Sequence, residues 1–118
     1  MIIGIGTDLV SNKRVNKLYE KYGNRFLDKI LSAEEKAEFF NLKSSKKINF
    51  LCSSFAAKEA LVKAFGIGFR GIYPSDISMQ KSSLGKPQLV NRKLENIKHH
   101  LSITNTDSYT LSFVVLEK

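Results

Sequence analysis

The stretch Phe55-Ala56-Ala57-Lys58-Glu59-Ala60-Leu61-Val62-Lys63-Ala64-Phe65-Gly66 decides how this chain folds. It reads as an apolar helix that Gly66 ends, with an acid and a base set one turn apart inside it. Residues four apart stack on a helix, so Glu59 and Lys63 share a face with Phe55. A carboxylate on a core-forming face is costly unless a cation meets it there. The small Ala56, Ala57, Ala60 and Ala64 allow other backbone to approach closely. The competing reading is an ordinary i,i+4 ion pair on a solvated face.

Working outward, a second isolated carboxylate, Asp8, ends the apolar run Met1-Ile2-Ile3-Gly4-Ile5-Gly6-Thr7. Either it caps the helix that follows, or it belongs to a site. Two carboxylates from separate elements, with a lysine beside one, suggest a hard divalent metal next to an anionic substrate.

The spacing predicts a buried strand over residues 2–8, then a helix capped by Ser11 that runs to Tyr22 with Val15, Leu18 and Tyr22 facing inward. Gly23 stops it. Ser32-Ala33-Glu34-Glu35 is a capping box opening a helix through Leu42, and Lys43 to Lys47 form a short basic connection. The long central helix is expected over 46–65, with Phe50, Leu51, Phe55, Leu61, Val62 and Phe65 in the core. Strands follow over 76–81 and 88–90 around the Gly85-Lys86-Pro87 turn, then a helix from Asn91 to His100. Strands over 101–106 and 109–116 close the chain as a hairpin. The pattern is α+β: a single domain, residues 1–118, with a long central helix, flanking helices and a small antiparallel sheet.

At 118 residues, 42% hydrophobic and 25% charged, the chain is long enough to bury a core and too apolar to be a disordered tail. No apolar run reaches the roughly 20 residues of a membrane span, and the N-terminus lacks the basic lead of a signal peptide. The single cysteine, Cys52, permits no internal disulfide, fits a reducing cytoplasm, and lies among Phe50, Leu51 and Phe55 as a small buried hydrophobe. The net charge of +8 is concentrated early, where Lys13, Arg14, Lys17, Lys21, Arg25 and Lys29 face only Glu20 and Asp28. Such a patch attracts nucleic acid, anionic lipid or an acidic protein. His99 and His100 lack the spacing of a zinc site, and neither Gly4-Ile5-Gly6 nor Gly66-Ile67-Gly68 is a nucleotide fingerprint.

Gly4-Ile5-Gly6-Thr7-Asp8, the central stretch from Phe55 to Gly66, Gly85-Lys86-Pro87 and Ser102-Ile103-Thr104 occur in that order. Along its whole length the chain resembles the holo-[acyl-carrier-protein] synthase family, the short type of 4′-phosphopantetheinyl transferase. The resemblance implies that fold, active as a homotrimer with sites between neighbouring subunits. It implies Mg²⁺-dependent transfer of 4′-phosphopantetheine from coenzyme A to a serine of apo-acyl carrier protein, releasing adenosine 3′,5′-bisphosphate, in support of fatty acid biosynthesis in the cytoplasm. Asp8 and Glu59 would hold the metal and, with Lys63, carry the catalysis. Lys63, Gly66, Gly85, Lys86, Pro87, Ser102 and Thr104 would bind coenzyme A. Arg14, Lys17, Lys21 and Arg25 would attract the acidic carrier, with Leu18 and Phe26 as apolar contacts. The serine proton would pass to a water on the metal or to Glu59.

The chain departs from the family at Ser54 and Asn105, where members often carry a basic residue and a histidine associated with the nucleotide end of coenzyme A. Lys46, Lys47 or Lys86 would substitute. Val10 stands where larger transferases place a third acidic ligand. Two other readings compete: a basic nucleic-acid-binding module, which would give Asp8 and Glu59 no role, and a different Mg²⁺-dependent phosphotransferase, which would need no acidic protein partner. The lack of interleaved aromatics and of a helix-turn-helix or zinc pattern speaks against the first, so neither nucleic acid nor membrane is an expected partner.

Overall fold

Two glycines set the architecture. A Cβ at Gly4 would lie 2.0 Å from the carbonyl oxygen of Ala64, and one at Gly6 1.9 Å from that of Ala60. The first strand therefore lies directly on the backbone of the long helix, which only glycine on one side and alanine on the other allow. In the computed structural model, which describes residues 1–68 and 70–118, these elements are β1 (Ile2–Ser11) and α4 (Ser44–Phe65). Between them run α1 (Asn12–Tyr22), α2 (Asn24–Ile30) and α3 (Ala33–Asn41). After α4 come β2 (Ser78–Lys81), β3 (Pro87–Val90), β4 (Lys98–Asn105) and β5 (Tyr109–Glu117).

The antiparallel sheet β1-β5-β4 packs one face on α4, and β2-β3 is a separate hairpin. Asp8 stands opposite Ser112, Gly6 opposite Val114, and Val10 opposite Thr110, all on the face toward α4. The other face carries Ile5, Leu9, Leu111 and Phe113, exposed by 61%, 64%, 43% and 42%. Two buried clusters meet along α4: Leu61, Val62, Ile77 and Leu116 on the sheet side, and Val15, Leu27, Phe39 and Leu51 beneath the short helices.

Ser11 accepts from the Arg14 N–H at 3.3 Å and caps α1. Ser32 and Glu35 form the reciprocal capping box of α3. Gly66, at φ 76°, closes α4 in the left-handed region that favours glycine. Leu51, Leu61 and Val62 are buried, with Phe50, Phe55 and Phe65 half-buried around them.

Four expectations need correction. Residues 91–100 form no α-helix: Asn91 caps only a 3-10 turn, Arg92–Leu94, and β4 begins at Lys98 because pairing with β5 outweighs local helix preference. The second strand starts at Ser78, after a 3-10 turn over Pro74–Asp76. Tyr22 is 42% exposed, since the chain turns away at Gly23 into a helix the sequence reading had left unassigned, α2. Most of the expected basic connection lies inside α4, with Lys43 as its N-cap residue. No described helix is long and apolar enough to cross a membrane.

Candidate active site

Asp8, Glu59 and Lys63 converge where β1 crosses the last turns of α4. The Lys63 ammonium donates to the carbonyl oxygen of Thr7 at 3.0 Å and to Asp8 Oδ1 at 3.3 Å. Its own-helix neighbour Glu59 is therefore not the carboxylate it pairs with, and the ordinary i,i+4 ion pair is excluded by geometry. The Asp8 side chain is 15% exposed and that of Lys63 55%. The Glu59 carboxyl is held above its ordinary range, first by burial and then by the charge of Asp8, against a smaller opposing pull from Lys63. Two carboxylates set close together, one of them resisting ionisation, with a half-exposed lysine at the rim, form a hard oxygen donor set with charge still to be neutralised. That set suits Mg²⁺, which takes one or two protein carboxylates and fills its other positions from water and substrate phosphate. Ser11, not Asp8, accepts the capping hydrogen bond of α1, which removes the competing structural role for Asp8.

Lys58, one residue from Glu59, points the opposite way. It is fully buried, pairs with Glu35, and donates to the Ile30 carbonyl oxygen at 2.6 Å. Burial lowers the Lys58 pKa, and Glu35 opposes that shift. The Glu35 carboxylate also accepts from the Ser54 hydroxyl at 2.5 Å and the backbone N–H groups of Ser32 and Met79 at 2.9 and 3.3 Å. This network ties α2, α3, α4 and β2 together and fixes the rotation of α4 that presents Glu59 to Asp8. The sequence showed Glu35 only as half of a capping box. Ser54 belongs to this interior, so the position read as a missing nucleotide contact does not front a site at all.

Its neighbour Ser53 does. It lines a cavity of 730 Å³ between α4, the β2-β3 hairpin and the β4-β5 turn, with Lys46, Lys81, Pro87, Ile103 and Asn105 among its other walls. Asn105 donates to Ser53 Oγ and to Thr110 Oγ1, both at 3.0 Å, and Thr110 in turn donates to Asn12 Oδ1 at 2.8 Å. Of the lysines named as substitutes, Lys46 reaches the wall of this cavity, whereas Lys47 lies over the rings of Phe39 and Phe40. Lys81, which the sequence reading did not single out, is the second cation on the wall. Its place at the end of β2, two residues after buried Met79 and on the same strand face, was the available signal.

Of the other expected site residues, Gly66 directly follows the Lys63 turn, with its N–H on the Lys63 carbonyl oxygen at 3.1 Å. Gly85, at φ 83°, forms the hairpin turn with exposed Lys86, and Pro87 opens β3 on the cavity wall. Ser102 and Thr104 face away from α4, in register with Phe113 and Leu111, on the opposite side of the sheet from Asp8. None of Asp8, Glu59 or Lys63 lines the cavity, so the carboxylate pair and the cavity lie apart on the chain. Arg14, Lys17, Lys21 and Arg25 are exposed, and Leu18 is half-buried. Phe26 is a correction: at 8% exposure it packs in the core with Val10 and Val15, because α2 turns that face inward. Cys52 is likewise buried, its thiol pushed up to about 11 by burial.

Residues 4–114 match the 4′-phosphopantetheinyl transferase superfamily. The holo-[acyl-carrier-protein] synthase of Nitrosospira multiformis is 43% identical, with 100% of both chains covered. The structure of holo-[acyl-carrier-protein] synthase from Neisseria meningitidis is 41% identical, superposes with a TM-score of 0.92, and covers 100% of both chains. That of the Bacillus anthracis synthase, described in complex with CoA (3′,5′-ADP), is 34% identical with a TM-score of 0.90, covering 100% of this chain and 98% of its own. The carboxylate pair where β1 crosses α4 thus occurs in a chain that, by sequence and by fold, belongs to the holo-[acyl-carrier-protein] synthase family of 4′-phosphopantetheinyl transferases.

Proposed function

We propose that this chain transfers 4′-phosphopantetheine from coenzyme A to a serine hydroxyl of an apo-acyl carrier protein, releasing adenosine 3′,5′-bisphosphate, a reading in keeping with relatives named holo-[acyl-carrier-protein] synthase. The observation that carries the reading is the convergence of Asp8, Glu59 and Lys63. The serine oxygen forms the new bond to the β-phosphorus as the bond to the nucleotide phosphate breaks. Mg²⁺, held by Asp8 and Glu59, would supply positive charge for the phosphate oxygens. Lys63 turns from Asp8 to the developing charge, which its exposed stem permits. The serine proton would pass to Glu59 or to a water beside it. No third acid is required at Val10, whose side chain is buried in the core.

The cavity is large enough for the nucleotide end of coenzyme A, with Lys46 and Lys81 as anion partners and Asn105 and Ser53 as neutral hydrogen-bonding groups. The bare sheet face of Ile5, Leu9, Leu111 and Phe113 is an apolar patch of the kind that mates with another chain. In a homotrimer built on it, Ser102 and Thr104 lie at the contact. In this reading the sites lie between neighbouring subunits, and one subunit's carboxylates would work with its neighbour's cavity and Gly85-Lys86-Pro87 turn. The exposed stripe of Arg14, Lys17 and Lys21, with Arg25 beyond it, starts shortly after Asp8 and suits an acidic carrier, with half-buried Leu18 as its apolar contact. Such an enzyme, a single transferase domain over residues 1–118, works in the cytoplasm and serves fatty acid biosynthesis.

The test is direct: incubate the protein with apo-acyl carrier protein, coenzyme A and Mg²⁺, and weigh the carrier by mass spectrometry. A gain of one phosphopantetheine, lost in Asp8→Asn, is expected. An unmodified carrier would refute the reading.

A further inference from the structure

The loose end of the molecule is Ser112. On β5 it faces α4, fully buried, and among the described residues its hydroxyl is a buried side-chain oxygen with no hydrogen-bond partner. Its place is specific: it stands directly across the β1-β5 ladder from Asp8, with Ile103 on its other side. Directly opposed residues of an antiparallel pair share a face, with Cβ atoms about 4.5–5.5 Å apart. A hydroxyl and a carboxylate at that spacing meet after small side-chain rotations. An orphaned buried hydroxyl is unfavourable, and packing against α4 at position 112 would be served as well by alanine. Meanwhile Asp8 is drawn toward the rim, where Lys63 holds Oδ1 at 3.3 Å.

We propose that Ser112 is a positioning residue for Asp8. In the loaded site, when Lys63 turns to substrate phosphate, the Ser112 hydroxyl donates to the Asp8 carboxylate and fixes it as a metal ligand from the dry side. Carboxylates that bind metals are themselves commonly held by such outer hydrogen bonds. The inference rests on the metal reading above and adds to it a residue from a different strand.

The experiment titrates Mn²⁺ into full-length wild type, Ser112→Ala and Asp8→Asn, following the free-ion electron paramagnetic resonance signal. Metal-free melting temperatures and the Mg²⁺ dependence of transfer are measured alongside. Ser112→Ala is expected to weaken Mn²⁺ binding about tenfold and to raise the Mg²⁺ needed for half-maximal rate in step. The rate at saturating Mg²⁺ should be largely kept, and the metal-free melting temperature should be unchanged or higher. Unchanged Mn²⁺ affinity with a higher melting temperature would leave Ser112 a mere packing residue and overturn the proposal. Weaker binding accompanied by a lowered melting temperature would also count against it, since lost packing then explains the effect. Equal Mn²⁺ binding by wild type and Asp8→Asn would instead remove the metal reading itself.

Discussion

Glu59 and Lys58 are adjacent in sequence and opposite in fate, and their variants should separate accordingly. The raised pKa of Glu59 means that the folded, metal-free protein binds a proton there at a pH where the unfolded chain has released it. Stability therefore falls as pH rises from the ordinary carboxylate value through the raised one. Glu59→Gln removes the cost of burying that charge together with its repulsion from Asp8, and Asp8→Asn removes the repulsion alone. At neutral pH in chelator each should melt a few degrees above wild type, with the Glu59→Gln advantage vanishing below the ordinary carboxylate range. Mg²⁺ should raise the wild-type melting temperature and not theirs, and transfer should be abolished in both. A calorimetric series over pH would expose the opposite sign. Lys58→Met strands the Glu35 carboxylate in the interior and is expected to lose about 3–5 kcal/mol in urea titration. Lys63→Met, at a half-exposed rim, should lose less than about 1 kcal/mol. The sequence could flag Glu59 because its helix neighbours were apolar. It could not flag Lys58, whose partner lies on another helix 23 residues away and is invisible to i,i+4 reasoning.

Among the elements, those with strong local signals were legible: the Ser11 and Ser32 caps, the Gly66 stop, the central helix and the terminal hairpin all lie within a few residues of their expected places. The miss over 91–100 came from reading Asn91 as the start of a helix, when the alternation of His99, Leu101 and Ile103 already matched β4 and its pairing with β5. α2 was missed because seven residues between a glycine and a capping serine carry little periodicity. That the carboxylates and the cavity lie apart was not legible, since it depends on which face of β4 each side chain takes. The tightest element contact, β1 on α4, yields a sharp expectation. Gly6→Ala places a methyl group against the Ala60 carbonyl oxygen, and the strand must lift. A loss of roughly 3 kcal/mol or more is expected by denaturant titration, with transfer falling further than stability because Asp8 moves with the strand.

At the scale of the whole molecule, the basic stripe of α1 and the separation of carboxylates from cavity let docking be tested apart from assembly. Reversing Arg14 and Lys21 to Glu should raise the KM for carrier and flatten the salt dependence of kcat/KM, while the KM for coenzyme A stays near wild type. Steady-state kinetics across an ionic-strength series checks this, and a defect confined to coenzyme A would place the docking surface elsewhere. If neighbouring subunits complete each other's sites, Asp8→Asn and a variant crippled in the cavity, Lys46→Ala with Lys81→Ala, should be inactive or weak alone. Mixed by gentle unfolding and refolding, they should recover activity that neither has. Activity that stays at the sum of the separate preparations would argue for sites contained in single chains. If sites are shared in that way, the separation of carboxylates from cavity has a consequence for inheritance. Two differently damaged copies of this gene product would partly rescue one another in the same cell. A copy damaged at both places would act as a poison, silencing the site on either side of it in every assembly it joins.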